Sequence, residues 1–254
     1  AGAAIASSVS EAVSLLFFII YTSMTADKRK YGFRRAFTLR PHLLKGMLSI
    51  SGWTMVQSFI SVSIWFIFFL AIEHLGERPL AVTNIVRNIS ALLIMVISAF
   101  ATTAGALISN QIGAGEQRCL FKTCGMTLKL TYAILIPLLI ILCLFPESVL
   151  RAFTDSPSLI AASVNSVYVM ASSTLIMAPS FILFNAVSGT GNTRAGFIME
   201  MISLAVYTAV IYYGIIRLKP DVALCWFSEH VYGVTLIFLA WWYLKSGKWR
   251  GKKV

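Results

Sequence analysis

Seven long apolar stretches dominate this chain and leave little room for anything else. They run at approximately 2–24, 46–72, 80–109, 124–146, 159–187, 195–216 and 222–244. Crossing about 30 Å of hydrocarbon takes a helix of about 20 residues, and each stretch is long enough. Backbone polar groups in lipid must be satisfied within the segment itself, so the expected fold is an all-α integral membrane protein of seven transmembrane helices. Composition agrees: only 12% of the residues are charged, against roughly 25% in a soluble domain. No soluble domain fits between the spans.

The net charge of +11 points to lipid rather than nucleic acid because of where it lies. Alternate loops hold Lys28, Arg29, Lys30, Arg34, Arg35, Arg40 and Lys45, then Arg118, Lys122 and Lys129, then Arg194, then Lys245, Lys248, Arg250, Lys252 and Lys253. The intervening loops hold Arg78, Arg151, Arg217 and Lys219 among acidic residues, and Arg87 falls inside a span. The positive-inside rule then puts the basic loops and the C-terminus in the cytoplasm, and the membrane is expected to be a bacterial-type inner (plasma) membrane. The basic patches 28–45 and 245–253 are expected to lie against anionic lipid headgroups. The chain opens on "AGAAIASSVSEAV", without Met or a basic leader, so residue 1 is expected not to be the natural start. Cys119, Cys124, Cys143 and Cys225 form no C-x-x-C pair, and neither a zinc site nor a disulfide framework is expected.

"GTGNTR" at 189–194 and "GAGEQR" at 113–118 both read G-x-G-x-x-R. A glycine loop cradles phosphate where a strand feeds a helix N-terminus. Here each string follows an apolar span and has no strand before it, so both are expected to be tight turns.

Polar residues inside hydrocarbon are costly and mark the faces that avoid lipid. In the third span, Asn84, Asn88, Ala91, Met95, Ser98, Thr102, Gly105 and Ser109 recur at spacings of three and four, which makes one helical stripe. Close helix packing and the wall of an aqueous cavity both explain such a stripe. The second span carries Ser51, Thr54, Gln57, Ser58 and Ser61, and the fifth carries Asn165, Tyr168 and Ser172 ahead of Pro179. Pro137 interrupts the fourth span. Charges within spans are Glu11, Arg87, Glu200 and Glu229. Arg87 either snorkels to the outer surface or pairs within the bundle. Glu200 shares a face with Ser203 and Tyr207 and is the best candidate for a proton- or cation-linked group, with an interfacial position as the alternative. Glu229 and His230, near the start of the last span, are expected at the interface, with a proton shuttle through His230 as the alternative.

Four strings in order carry a resemblance: "GAAIASSVSE" (2–11), "ALISNQIGAGEQ" (106–117), "NAVSGTGNTR" (185–194) and "WWYLKSGKW" (241–249). Together they resemble the multidrug and toxic compound extrusion (MATE) transporters. The resemblance implies helix six of a twelve-helix protein in residues 1–25, a basic cytoplasmic inter-lobe loop in 26–45, the six-helix C-terminal lobe in 46–245 and a basic cytoplasmic tail in 246–254. It implies a secondary active exporter, present as a C-terminal fragment, monomeric when full length. Such an exporter exchanges a cationic amphipathic drug or metabolite for H⁺ or Na⁺ by alternating access, without a cofactor.

Some members of that family carry coupling carboxylates in helices seven and ten, where this sequence has Gln57 and Met177. Those roles do not transfer; the coupling group is expected in the missing lobe, with Glu200 and Arg87 as the alternative. The substrate cavity would draw on Gln57, Asn84, Arg87, Asn88, Asn165, Tyr168, Ser172 and Glu200. A flippase for lipid-linked precursors is a rival reading, and a seven-helix receptor a remote one. An enzyme is not expected, because no nucleophile–base pair or metal-ligand cluster is legible.

Overall fold

A computed structural model describes residues 2–25, 41–247 and 249 of the chain. It divides into two compact units, Ala1–Ser49 and Ile50–Val254. In the first, α1 (Gly2–Thr25) is one uninterrupted helix with Glu11 on its exposed surface. α2 (Pro41–Glu73) starts earlier than the predicted span, so 41–45 are helical rather than loop. Proline suits a first helical turn, where its missing N–H leaves no bond unmade. Residues 26–40 and most of the tail predicted at 246–254 lie outside the described residues.

Among the described residues, seven helices are long and apolar enough to span a membrane: 5–25, 44–73, 77–113, 117–144, 157–189, 193–217 and 222–246. The fold is therefore the expected all-α, seven-span architecture. Within the second unit, α6 (Pro157–Gly189) is the most buried span and packs against α3 (Glu77–Gly113), α4 (Leu120–Leu144) and two later helices. Those are α7 (Thr193–Val210), which continues as a π-helical turn over Ile211–Arg217, and α9 (Phe227–Ser246). Two short helices, α5 (Pro146–Leu150) and α8 (Val222–Cys225), serve as connectors.

The packing follows from residue spacing. On α3 the buried face is Ile85, Ile89, Leu93, Ile97, Ala101, Ala104 and Ile108, which adjoins the polar stripe. Ile97 belongs to the same core cluster as Leu135 of α4 and Val167 and Met170 of α6, all fully buried. Burying an aliphatic side chain of this size is worth about 1.5–3 kcal/mol against water, and in lipid its value lies in dispersion contacts instead.

Toward their C-terminal ends, α3 and α6 touch backbone to backbone. A Cβ on Gly189 would stand 2.5 Å from the Gly105 carbonyl oxygen, and one on Gly105 would stand 2.9 Å from the Asn185 carbonyl oxygen. Only glycine allows that approach.

The same helix ends explain the paired glycine strings. α3 stops at Gly113 and α6 at Gly189, and two residues later Gly115 (φ 83°) and Gly191 (φ 78°) take the left-handed conformation that reverses the chain. After the second turn, Asn192 caps α7 by accepting from the Ala195 N–H at 3.2 Å, and it donates from Nδ2 to the Tyr243 hydroxyl at 2.6 Å. Both strings are turns, as expected, with their backbone turned to helix capping. Trp226 is buried against Phe68 with ring centroids 5.7 Å apart. Trp241 and Trp242 are exposed, and the Lys245 ammonium sits 4.6 Å over the Trp241 ring.

Candidate functional site

A cavity of about 460 Å³ opens between α2, α3, α6, α7 and α9. α2 contributes Ser61 and Trp65, and α3 contributes Arg87, Ser90, Ala91, Ile94, Met95 and Ser98. Met177 and Phe181 of α6 are among the apolar lining residues; further polar groups come from Glu200 and Tyr207 of α7 and Glu229 and Tyr232 of α9.

Helical spacing assembles this set. Ser61 and Trp65 are four residues apart, Glu200 and Tyr207 seven, and Glu229 and Tyr232 three, so each helix presents its pair on one face. Glu229 lies in the first turn of α9, where unpaired backbone N–H groups favour a carboxylate.

The carboxylates and tyrosines interlock. Glu200, only 4% exposed, accepts through Oε1 from the Ser61 hydroxyl at 2.8 Å and the Tyr232 hydroxyl at 2.9 Å. Tyr207 donates to Glu229 Oε1 at 2.8 Å, and the two tyrosine rings meet edge to face at 5.8 Å. Glu200 Oε2 has no partner in the protein. A buried carboxylate with a lone oxygen is costly unless something fills the vacant position.

On α3, Arg87 is half-buried and, among the described residues, pairs with no carboxylate. Its guanidinium lies 5.8 Å from the Trp65 ring centroid and 5.1 Å from that of Phe69, contacts of the cation–π kind. Its buried Nε also lacks a partner. Among the described residues, neither Glu200 nor Glu229 forms an ion pair with it.

Of the eight residues singled out by sequence, the structure brings Arg87 and Glu200 together at this cavity. Gln57 is half-buried on α2, one turn before Ser61, and does not line it. Asn84 is half-buried and donates to the Leu80 carbonyl at 3.1 Å, while Asn88 is exposed. Asn165, Tyr168 and Ser172 form an exposed stripe on a different side of α6. There the Tyr168 hydroxyl is 3.4 Å from the Cys143 carbonyl, and Ser172 is 2.9 Å from His230 Nε2.

Sequence reasoning missed Trp65 and Tyr232 and set Glu229 at the interface. The i, i+3 spacing of Glu229 and Tyr232, matching that of Glu200 and Ser203, was the available signal. Among the described residues, no group of three or more His, Cys, Asp or Glu side chains is placed to hold a metal ion.

A lobe of six spanning helices that encloses a polar-ended cavity has the architecture of a multi-pass membrane transporter of the MATE type. The MatE family profile matches residues 54–213, more than half of the chain, and the chain belongs to that family. Its fold is similar to the Vibrio cholerae MATE transporter VcmN in its bent form (TM-score 0.73, 15% identity), over 82% of this chain and 48% of that one. It is similar also to a multidrug resistance MATE transporter in its outward-facing conformation (TM-score 0.71, 14% identity, 80% of this chain and 46% of that one). A third likeness is to a MOP-superfamily transporter from Pyrococcus furiosus (TM-score 0.69, 14% identity, 78% of this chain and 44% of that one). The chain thus spans less than half the length of each of these proteins. No curated protein matches it by sequence.

Proposed function

We propose that the chain forms the C-terminal lobe of a secondary active exporter, which moves a small organic molecule outward in exchange for H⁺ or Na⁺. The observation that supports this most is Glu200, a buried carboxylate on the cavity wall with one oxygen satisfied and the other without a partner. Such an oxygen accepts a proton, a sodium ion or the ammonium of a substrate, and only one at a time. Competition for it couples the two fluxes, because each ligand weakens the other by the same factor. The apolar walls at Ile94, Met95, Met177 and Phe181 suit the body of an amphipathic molecule.

This reading gives Glu200 the coupling role that the sequence alone leaned toward placing in an upstream lobe. It keeps the expected orientation, with the basic loops and the C-terminus cytoplasmic in a bacterial-type plasma membrane, lipids as neighbours and a monomeric full-length protein. A flippase for pyrophosphate-linked lipids fits less well, because a single guanidinium beside two carboxylates is a poor host for a doubly charged anion.

The test is export from proteoliposomes containing the full-length product of the gene, driven in turn by a proton and a sodium gradient. Glu200→Gln is expected to lower ion-driven export of an organic cation more than tenfold, while Glu11→Gln, on the exposed surface of α1, leaves it within twofold. Export undiminished in Glu200→Gln at equal reconstitution would refute the assignment.

A further inference from the structure

α4 carries its cations on the side turned away from the core. Thr127, Thr131, Leu135 and Leu142 are buried, whereas Lys122 and Lys129 are exposed. Arg118, in the short turn that leads into the helix, is exposed as well. Spacings of four and seven residues stack the three on one face. That face continues as Ile136 and Ile140, 44% and 51% exposed, so it is basic toward its start and apolar beyond. α4 contains no acidic residue, and among the described residues none of the three cations forms an ion pair.

Lys129 stands about 18 Å from Gln117 along a span of 28 residues, about 42 Å in all. A hydrocarbon layer of about 30 Å centred on such a span begins well before that point. An ammonium there is costly on a lipid-facing surface, and its stem has to carry the charge back toward the headgroups. Helix side chains lean toward the N-terminus, so Lys129 reaches over the turn that holds Gly125. A Cβ added at Gly125 would meet nothing within 4 Å. Between Lys122 and Lys129 the surface is therefore a notch, floored by bare backbone and flanked by two cations.

We propose that this notch holds the head group of an anionic phospholipid with two phosphates, drawn from the leaflet around the basic turns. One phosphate sits over Gly125 against Lys129, and the other meets Lys122 and Arg118, whose forked guanidinium suits a phosphate. The acyl chains run along Ile136 and Ile140. Three cations in a row repel one another, and a dianionic head group removes that repulsion where a zwitterionic one does not. The site is separate from the basic segments 28–45 and 245–253. It is separate also from the cavity, to which α4 contributes no residue.

The experiment titrates the delipidated full-length gene product in detergent with diphosphatidylglycerol, or with phosphatidylcholine of the same acyl chains, and reads the first bound lipid by native mass spectrometry. The wild type is expected to bind diphosphatidylglycerol about tenfold more tightly, on the order of what two lysines contribute near a charged surface. Lys122→Gln with Lys129→Gln is expected to bring the two lipids within about twofold of each other, whereas Lys122→Arg with Lys129→Arg keeps the preference. Gly125→Leu fills the notch without altering charge and is expected to lower diphosphatidylglycerol affinity about threefold or more. Arg194→Gln, a basic residue on another helix, should leave the affinity within about twofold. A wild type that binds both lipids equally, or a preference that survives both the double glutamine variant and Gly125→Leu, overturns the proposal. Loss of the preference in Arg194→Gln as large as in the double glutamine variant also overturns it, since the attraction would then belong to the net charge and not to this face.

Discussion

α3 shows two kinds of helix surface laid end to end. In its C-terminal half the small residues serve contact: Ala101 and Ala104 are fully buried, and Gly105 lets the α6 backbone approach until no Cβ fits. Nearer its N-terminus the same spacing of small and polar residues lines a cavity, through Arg87, Ser90, Ala91 and Ser98. One periodicity serves packing at one end and access at the other. The difference is decided across the gap: α6 offers Gly189 at one end, whereas at the other α7 and α9 hold the cavity open with Glu200, Tyr207 and Glu229.

If the C-terminal half is held by backbone contact, filling it should cost most. Gly189→Val is expected to abolish recovery of monodisperse protein, because its side chain would meet the Gly105 carbonyl. The milder Gly189→Ala is expected to cost about 1–3 kcal/mol, read as a lower melting temperature in detergent. Gly125→Ala, where a Cβ meets nothing within 4 Å, should change it by less than about 0.5 kcal/mol. Equal melting temperatures for the two alanine variants would break the comparison.

The two faces of the cavity-lining stretch should differ next. Ile97→Ala removes a fully buried side chain and is expected to cost about 2–5 kcal/mol, whereas Met95→Ala, 72% exposed, should cost less than about 0.5 kcal/mol. Thermal unfolding of the two variants side by side checks this, and similar losses would mean that the cavity face is packed.

The smallest effect is one of access. Single cysteines at Ala91 and Ser98 are expected to react with a membrane-impermeant thiol reagent several times faster than cysteines at Ile97 and Ala101. Equal rates on both faces would remove the water-filled cavity.

Much of this was legible in the sequence because lipid imposes strict conditions. Seven apolar runs gave seven spans, and two glycine strings gave two turns whose Gly115 and Gly191 take positive φ. Glu200 and Arg87 stood out because charge in a span has to be accommodated by something. The cavity as a whole was not legible, because it is made by contacts between helices distant in the chain. Ser61 and Glu200 are 139 residues apart, and nothing local in either span foretells their hydrogen bond. The stripe of Asn165, Tyr168 and Ser172 shows the converse difficulty. Its spacing is as regular as that of α3, yet it faces away from the cavity, toward Cys143 and His230. Spacing reports that a face is polar; which neighbour it meets depends on how the helices are arranged about one another.

The central claim is that Glu200 is where ion and substrate exclude each other, and equilibrium binding tests it most directly. A fluorescent organic cation would be titrated into the full-length protein while either H⁺ or Na⁺ is raised at constant ionic strength. The account predicts that one of the two ions weakens cation binding about tenfold or more in the wild type, and that Glu200→Gln binds the cation weakly and independently of either ion. A wild-type affinity indifferent to both ions, or an ion dependence that survives in Glu200→Gln, would contradict it.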